Sequence, residues 1–197
     1  SKFTTKHPII GIMNHQGVSI QLIEVPAPES EFYDKGIVNS ADTLILLINS
    51  LDEIKQLENY LEKAYGKRII AINKSDLLNE TEKRKIESTL KSKFAKYPFA
   101  LISTYTEEGI LELKEKIFQS FNRIRVLTKE PGKAKTERPI ILYPESTVKD
   151  VAEKILHGFS KKVKETKIWG PSSKFAGQKV GLTHKLKDMD VVEFKTG

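Results

Sequence analysis

Apolar positions come in short blocks along the first two thirds of the chain. Residues 8–13 are apolar and β-rich, Asn14-His15-Gln16-Gly17 carries turn residues, and residues 18–23 are apolar again. That order predicts a β-hairpin. The continuous apolar run over 43–49 predicts a strand buried on both faces. A helix is predicted over 52–65, with Leu57 and Leu61 on one face and Gly66 as its stop. A strand at 68–72, a charged helix over 80–95, a strand at 99–102 and a helix over 108–121 follow, the last with Ile110, Leu113 and Ile117 sharing a face. Short apolar strands alternating with helices imply a parallel sheet covered on both sides.

The pattern changes near Asn122. Residues 123–127 read as a strand, and the stretch 129–135, with Pro131-Gly132, reads as a flexible turn. A strand at 139–143 is closed by Pro144. Thr147 then caps a helix over 148–159, on which Val151, Ile155 and Phe159 share a face. Short strands at 166–169, 178–180 and 191–194 complete the chain. A hairpin, one helix and further strands in so short a stretch predict an α+β, ubiquitin-like β-grasp domain. The expected division is 1–121 and 122–197.

Charge sharpens this division. Residues 1–122 hold 16 Lys+Arg against 17 Asp+Glu, a net of −1, whereas residues 123–197 hold 17 against 9, a net of +8. A basic excess confined to one end implies a polyanionic partner for that end, or else a lysine-rich solvated surface. Within it, Lys161-Lys162-x-Lys164-x-x-Lys167 reads as an RNA phosphate contact or as a solvated strand face. The chain has no cysteine, which excludes disulfides, thiolate metal sites and cysteine nucleophiles. No apolar run approaches the roughly 20 residues of a membrane span, so a cytoplasmic protein without membrane contact is expected.

Asn73-Lys74-Ser75-Asp76 follows directly on an apolar strand. An Asp at a strand end can accept from the ring N–H and the exocyclic amine of guanine together, a donor pair that adenine lacks. The Lys stem can lie along the base plane, and the Asn can tie neighbouring loops together. Ligands of open parallel sheets bind outside the carboxyl ends of the strands, where this motif falls. Alone, the motif also fits a polar turn leading to a helix.

Its context is more informative. Phe3-Thr4-Thr5, Glu24-Val25-Pro26-Ala27, Asn73-Lys74-Ser75-Asp76 and Ile102-Ser103-Thr104 stand in the order and spacing of an Obg-superfamily GTPase. The chain resembles the developmentally regulated GTP-binding proteins. The end of the chain, with Trp169-Gly170 and Val180-Gly181-Leu182-Thr183-His184-x-Leu186-x-Asp188-x-Asp190-Val191-Val192, resembles the TGS domain that closes those proteins. The resemblance implies a partial P-loop GTPase domain (α/β, Rossmann-like, mainly parallel) followed by a TGS domain. It implies that Asn73, Lys74 and Asp76 read the base, with Ser103 and Thr104 as support. It further implies that Thr5 and Glu24 serve Mg2+, and that the ligands are GTP and GDP. A ribosome-associated or RNA-associated role in translation and a regulatory protein partner are implied as well. Trp169, His184, Asp188 and Asp190 read more simply as packing and turn residues.

The sequence departs from that family at two points. Gly-x-x-x-x-Gly-Lys-[Ser/Thr] occurs nowhere in it. In the family this phosphate loop precedes the Phe-Thr-Thr segment, so the chain reads as a piece beginning inside the first switch. Glu24 stands for the usual Asp of the second switch and Ala27 for its usual Gly, which restricts backbone approach to a phosphate. No catalytic residue is assigned, and slow or absent GTP hydrolysis is expected. The alternative is an RNA- or protein-binding TGS module on a G-domain scaffold that does not hydrolyse GTP. The missing central strand would leave the strands at 18–24 and 43–49 with open edges, which are expected to pair with each other or with another chain.

Overall fold

The computed structural model describes residues 5–197, so Phe3 and Thr4 of the first-switch segment lie outside the described residues. The described residues separate into two compact units, one of residues 5–13 and 20–121 and one of residues 14–19 and 122–197.

Strands β1 (Ile9–His15) and β2 (Val18–Glu24) form the predicted hairpin, whose tip, residues 14–19, is counted with the second unit and whose remainder belongs to the first. Its two-residue turn places Gln16 at φ 47° and Gly17 at φ 79°. Both angles are positive, as a turn that follows the natural twist of a hairpin requires. A short helix that the pattern did not predict, α1 (Lys35–Ser40), is capped by Asp34, whose carboxylate accepts from the Ile37 N–H. Then come β3 (Thr43–Ile48), α2 (Glu53–Tyr60), β4 (Lys67–Ile72), α3 (Glu80–Lys93), β5 (Phe99–Leu101) and α4 (Ile110–Ser120). The strands β3, β4 and β5 form a parallel sheet in that order.

Strand β3 departs from its expected burial. Leu46 and Ile48 are buried, with Ile54, Ile70, Ile72 and Leu90 packed about Ile48. Its other face carries Ile45 and Leu47, which are 36 % and 57 % exposed. The physical reason lies in the helices. On that side Ile110 and Leu113 of α4 pack on Ala71 and Ala100 of β4 and β5, and α4 meets β3 at Thr43, through the Ser120 hydroxyl (2.6 Å), leaving Ile45 and Leu47 uncovered. Strands β2 and β3 belong to different sheets, so the direct pairing of their edges that the sequence suggested does not form.

Helix α2 also ends earlier than predicted. Gly66 is not its cap; the Arg68 guanidinium instead donates to the carbonyls of Leu61 (2.7 Å) and Ala64 (3.3 Å) beyond its last turn. A side chain at Gly66 would meet the Ala41 carbonyl at 2.5 Å, which accounts for the glycine.

The second unit meets its α+β, β-grasp expectation. A five-stranded mixed sheet runs β7 (Ile140–Leu142), β6 (Ile124–Lys129), β10 (Asp190–Thr196), β8 (Val163–Trp169), β9 (Gln178–Lys179), with β6 and β10 parallel at its centre. The single helix α5 (Val148–Ile155) closes one face, burying Val148, Val151 and Ala152 against Ile124, Val126, Ile168 and Val192. The predicted helix over 148–159 stops at Ile155, which is 45 % exposed rather than on the buried face. Phe159 still reaches the core, from a tight turn, edge-on to Phe194. Among the described residues no helix is long and apolar enough to cross a membrane.

Candidate functional site

The carboxyl ends of β4 and β5 converge on the residues that the sequence singled out for a base. The backbone leaves β4 at Asn73, whose N–H donates to the Ile48 carbonyl at 2.9 Å. Lys74 then takes a left-handed conformation (φ 67°, ψ 34°) and starts a short 3-10 turn over Ser75–Leu77. The Asn73 amide oxygen accepts from its neighbour's N–H (Lys74, 2.8 Å) and from the Thr104 N–H (3.2 Å). One side chain thus joins the loop after β4 to the loop after β5. The Ser75 N–H reinforces that junction by donating to the Ile102 carbonyl at 2.9 Å.

Ser103 is fully buried, and its hydroxyl oxygen accepts from the N–H groups of Tyr105 (3.2 Å) and Thr106 (3.1 Å). This folds the second loop into a tight turn. Asp76 and Lys74 are exposed, and neither side chain makes a hydrogen bond or ion pair among the described residues. The arrangement therefore holds two fixed loops, one free carboxylate and one free ammonium at the mouth of a parallel sheet. A carboxylate with unused lone pairs can accept two parallel N–H groups from one planar ring.

A supporting network sits beneath these residues. Buried Ser75 donates to Glu108 Oε2 at 2.7 Å, and Lys83 of α3 donates to Glu108 Oε1 at 2.6 Å. Those two bonds, the Lys83 one foremost, hold the Glu108 carboxyl below its ordinary range. The Glu108 carbonyl accepts from the Ser103 N–H at 2.9 Å, so one residue anchors both loops. Sequence reasoning missed Ser75, Lys83 and Glu108. Ser75 occupies the variable position of its motif, and the other two lie on separate elements with no local signal linking them.

The second predicted group is also brought together. Thr5 Oγ1 donates to Glu24 Oε1 at 2.7 Å. A hydroxyl and a carboxylate in contact form a hard-oxygen pair that fits Mg2+, which is held by one or two carboxylates with waters and phosphate oxygens completing its octahedron. No hydrogen bond or ion pair among the described residues links this pair to the loops after β4 and β5.

Comparison with known proteins joins these observations. Residues 124–196 match the TGS domain family. Over 142 residues the chain is 34 % identical to an uncharacterized GTP-binding protein of Methanocaldococcus jannaschii, covering 69 % of this chain and 36 % of that protein. Over 177 residues it is 32 % identical to an uncharacterized GTP-binding protein of Schizosaccharomyces pombe, covering 88 % and 44 %. It is 26 % identical to developmentally-regulated G-protein 3 of Arabidopsis thaliana over 207 aligned positions, covering 90 % and 54 %. The chain belongs to the Obg-like, developmentally regulated GTP-binding protein family. It spans about a third to a half of the length of these relatives. Within that family frame the β-grasp unit is the TGS domain.

The TGS residues that read as structural have structural partners here. Asp190 is fully buried and accepts from the N–H groups of Ser172 (3.0 Å) and Lys187 (2.7 Å). His184 Nε2 lies 3.0 Å from Ser172 Oγ, and the His184 carbonyl accepts from the Val148 N–H at the start of α5. Trp169 carries the Lys129 ammonium 4.4 Å above its ring, an arrangement that satisfies both groups. Asp188 does more than shape a turn. It grips the buried Arg125 through Nη2 (2.6 Å), Nε (3.1 Å) and the backbone N–H (2.7 Å).

Proposed function

We propose that this chain carries the guanine-reading half of a GTP-binding protein, with Asp76 accepting from the base, Lys74 lying along its plane, and Asn73, Ser103 and Thr104 holding the loops that frame it. The observation that carries this reading is the free Asp76 carboxylate, presented between two loops locked together through Asn73 and Glu108. The GTP-binding names of the relatives support it. Thr5 and Glu24 would hold Mg2+, whose chemistry is to offset phosphate charge. The chain contributes the base contacts, while Glu24 and Ala27 depart from the residue types that bring a switch close to the phosphates. Binding by this chain is therefore weak, and its GTP hydrolysis slow or absent. Calorimetric titration with GDP and with ADP tests the reading. Heat with GDP alone, abolished in Asp76→Asn, supports it; equal response to both nucleotides overturns it.

A second reading rests on a different observation, the net charge of +8 over residues 123–197. Under it the TGS unit docks on ribosomal or other structured RNA in the cytoplasm, in a protein associated with translation. The two readings are compatible in a complete protein. They separate in solution, because RNA affinity falls steeply with salt and needs no nucleotide.

A further inference from the structure

The loop that follows α5 is held unusually firmly for a surface turn. The Glu153 carboxylate accepts from the Gly158 N–H (2.7 Å), from the Ser160 N–H (3.2 Å) and from the Ser160 hydroxyl. These bonds hold the Glu153 carboxyl down at about 2, the Ser160 hydroxyl contributing most. Gly158 supplies the left-handed turn (φ 79°), and Phe159 pins the loop to the core from below. What this anchored segment displays is positive charge. Lys161, Lys162 and Lys164 are exposed, and none forms an ion pair with an acidic side chain among the described residues.

The neighbouring carboxylates are committed elsewhere. Glu153 is turned onto the loop backbone, and Glu165 takes Lys179 (2.6 Å) and Lys167 (3.7 Å). Glu193 takes Lys129 (3.3 Å). Clustered like charges with no partner repel one another, and an anchored loop cannot relieve that by spreading. Such a cluster is preorganised for an anion, because little ordering remains to be done on binding. Ile155 (45 % exposed) and Leu156 (57 % exposed) stand immediately before the loop.

We propose that this loop is the RNA contact of the TGS unit, with Lys161, Lys162 and Lys164 on successive phosphates of a single-stranded segment and Ile155 and Leu156 beneath an unstacked base. The proposal rests on the RNA reading above and locates it. A single strand is favoured because its bases are free to lie on a flat apolar surface, whereas those of a duplex are stacked away. RNA is favoured over a lipid surface because helices that lie in membranes bury a long apolar face. Here the helix has eight residues, and the apolar residues exposed at its end are two.

The test is fluorescence anisotropy of the chain with a labelled single-stranded RNA across a salt series. A triple variant, Lys161→Gln with Lys162→Gln and Lys164→Gln, is compared with a charge-matched control, Lys149→Gln with Lys174→Gln and Lys187→Gln. Each phosphate contact on a single strand contributes about 0.7 to the slope of log affinity against log salt, so the first variant should lose about 2 of that slope and the control almost none. Equal losses in both would mean diffuse charge attraction and would overturn the site. Glu153→Gln gives a test of opposite sign. It adds net positive charge, so charge attraction alone predicts tighter binding, whereas release of the loop predicts weaker binding; a tighter variant overturns the anchored-loop account. No RNA binding by the unaltered chain would remove the RNA reading itself. Loss of binding to anionic lipid vesicles in the triple variant, with RNA binding unchanged, would assign the loop to a membrane and overturn the proposal.

Discussion

The two units solve the problem of covering a sheet differently. The TGS unit wraps one face of its sheet around a single helix, and buried residues from β6, β7, β8, β10 and α5 join one cluster. The GTPase-like unit divides its buried residues among separate clusters on the two sides of a three-stranded sheet, and leaves Ile45 and Leu47 open on β3. The same alternation of apolar strands and helices therefore guarantees the sheet without guaranteeing its cover. Burial of a strand's second face depends on a helix covering it, and α4 meets β3 at Thr43, whose hydroxyl lies 2.6 Å from that of Ser120, leaving Ile45 and Leu47 uncovered.

That contrast can be attacked by substitution. Ile168→Ala, at a fully buried position in the TGS core, should cost about 2–5 kcal/mol. Leu47→Ser, in an equally apolar strand of the other unit, should change stability by no more than about 0.5 kcal/mol. Denaturant titration measures both; a large cost at Leu47 would mean that its face is covered in solution. Asp188→Ala comes next. It removes the carboxylate that accepts from Nε and Nη2 of the Arg125 guanidinium, whose side chain is only 3 % exposed, while the Gln16 amide oxygen still accepts from Nη1 (2.7 Å), and should cost about 3 kcal/mol. Because Asp188 is itself 37 % exposed, this sits at the low end for a broken buried pair.

Helix caps offer a matched comparison. Asn79 before α3 and Thr147 before α5 each form a capping box, with Glu82 and Asp150 respectively. Replacing either by Ala should cost about 1 kcal/mol. Unequal costs would show that one unit tolerates helix fraying better than the other. The smallest effect is confined to acid. Glu153 has its carboxyl lowered to about 2 in the folded chain from an ordinary 4.5. A lowered folded value means that its contribution is complete above pH 4.5 and is lost as pH falls toward 2. Acid titration of the TGS unit should flatten over that window in Glu153→Gln, and an unchanged acid limb would contradict the anchoring role.

The sequence revealed the order of elements more fully than their burial. The hairpin, the parallel strands and the β-grasp pattern were legible because each follows a local period. Helix α1 was not, since six residues around Val38 give too short a periodic signal. The open face of β3 was hidden because apolar periodicity records a residue's preference, not whether a neighbour arrives. In the candidate site, Asn73 and Asp76 were legible from a motif, and Asn73 does tie the two loops as its amide allows. Glu108 was not, because its role arises from Ser75 and Lys83 meeting it in space.

The central claim is that Asp76 reads guanine, and exchanging its chemistry tests that most directly. An Asn at this position offers one acceptor and one donor, which matches xanthine, whose second-position oxygen replaces the guanine amine. The measurement is nucleotide binding to Asp76→Asn, followed by NMR shifts of the amides of residues 73–76 and 103–104. The account predicts that the variant loses its response to GDP and gains one to xanthosine diphosphate at those same amides. A variant that still responds to GDP there, or that responds equally to ADP, would contradict it.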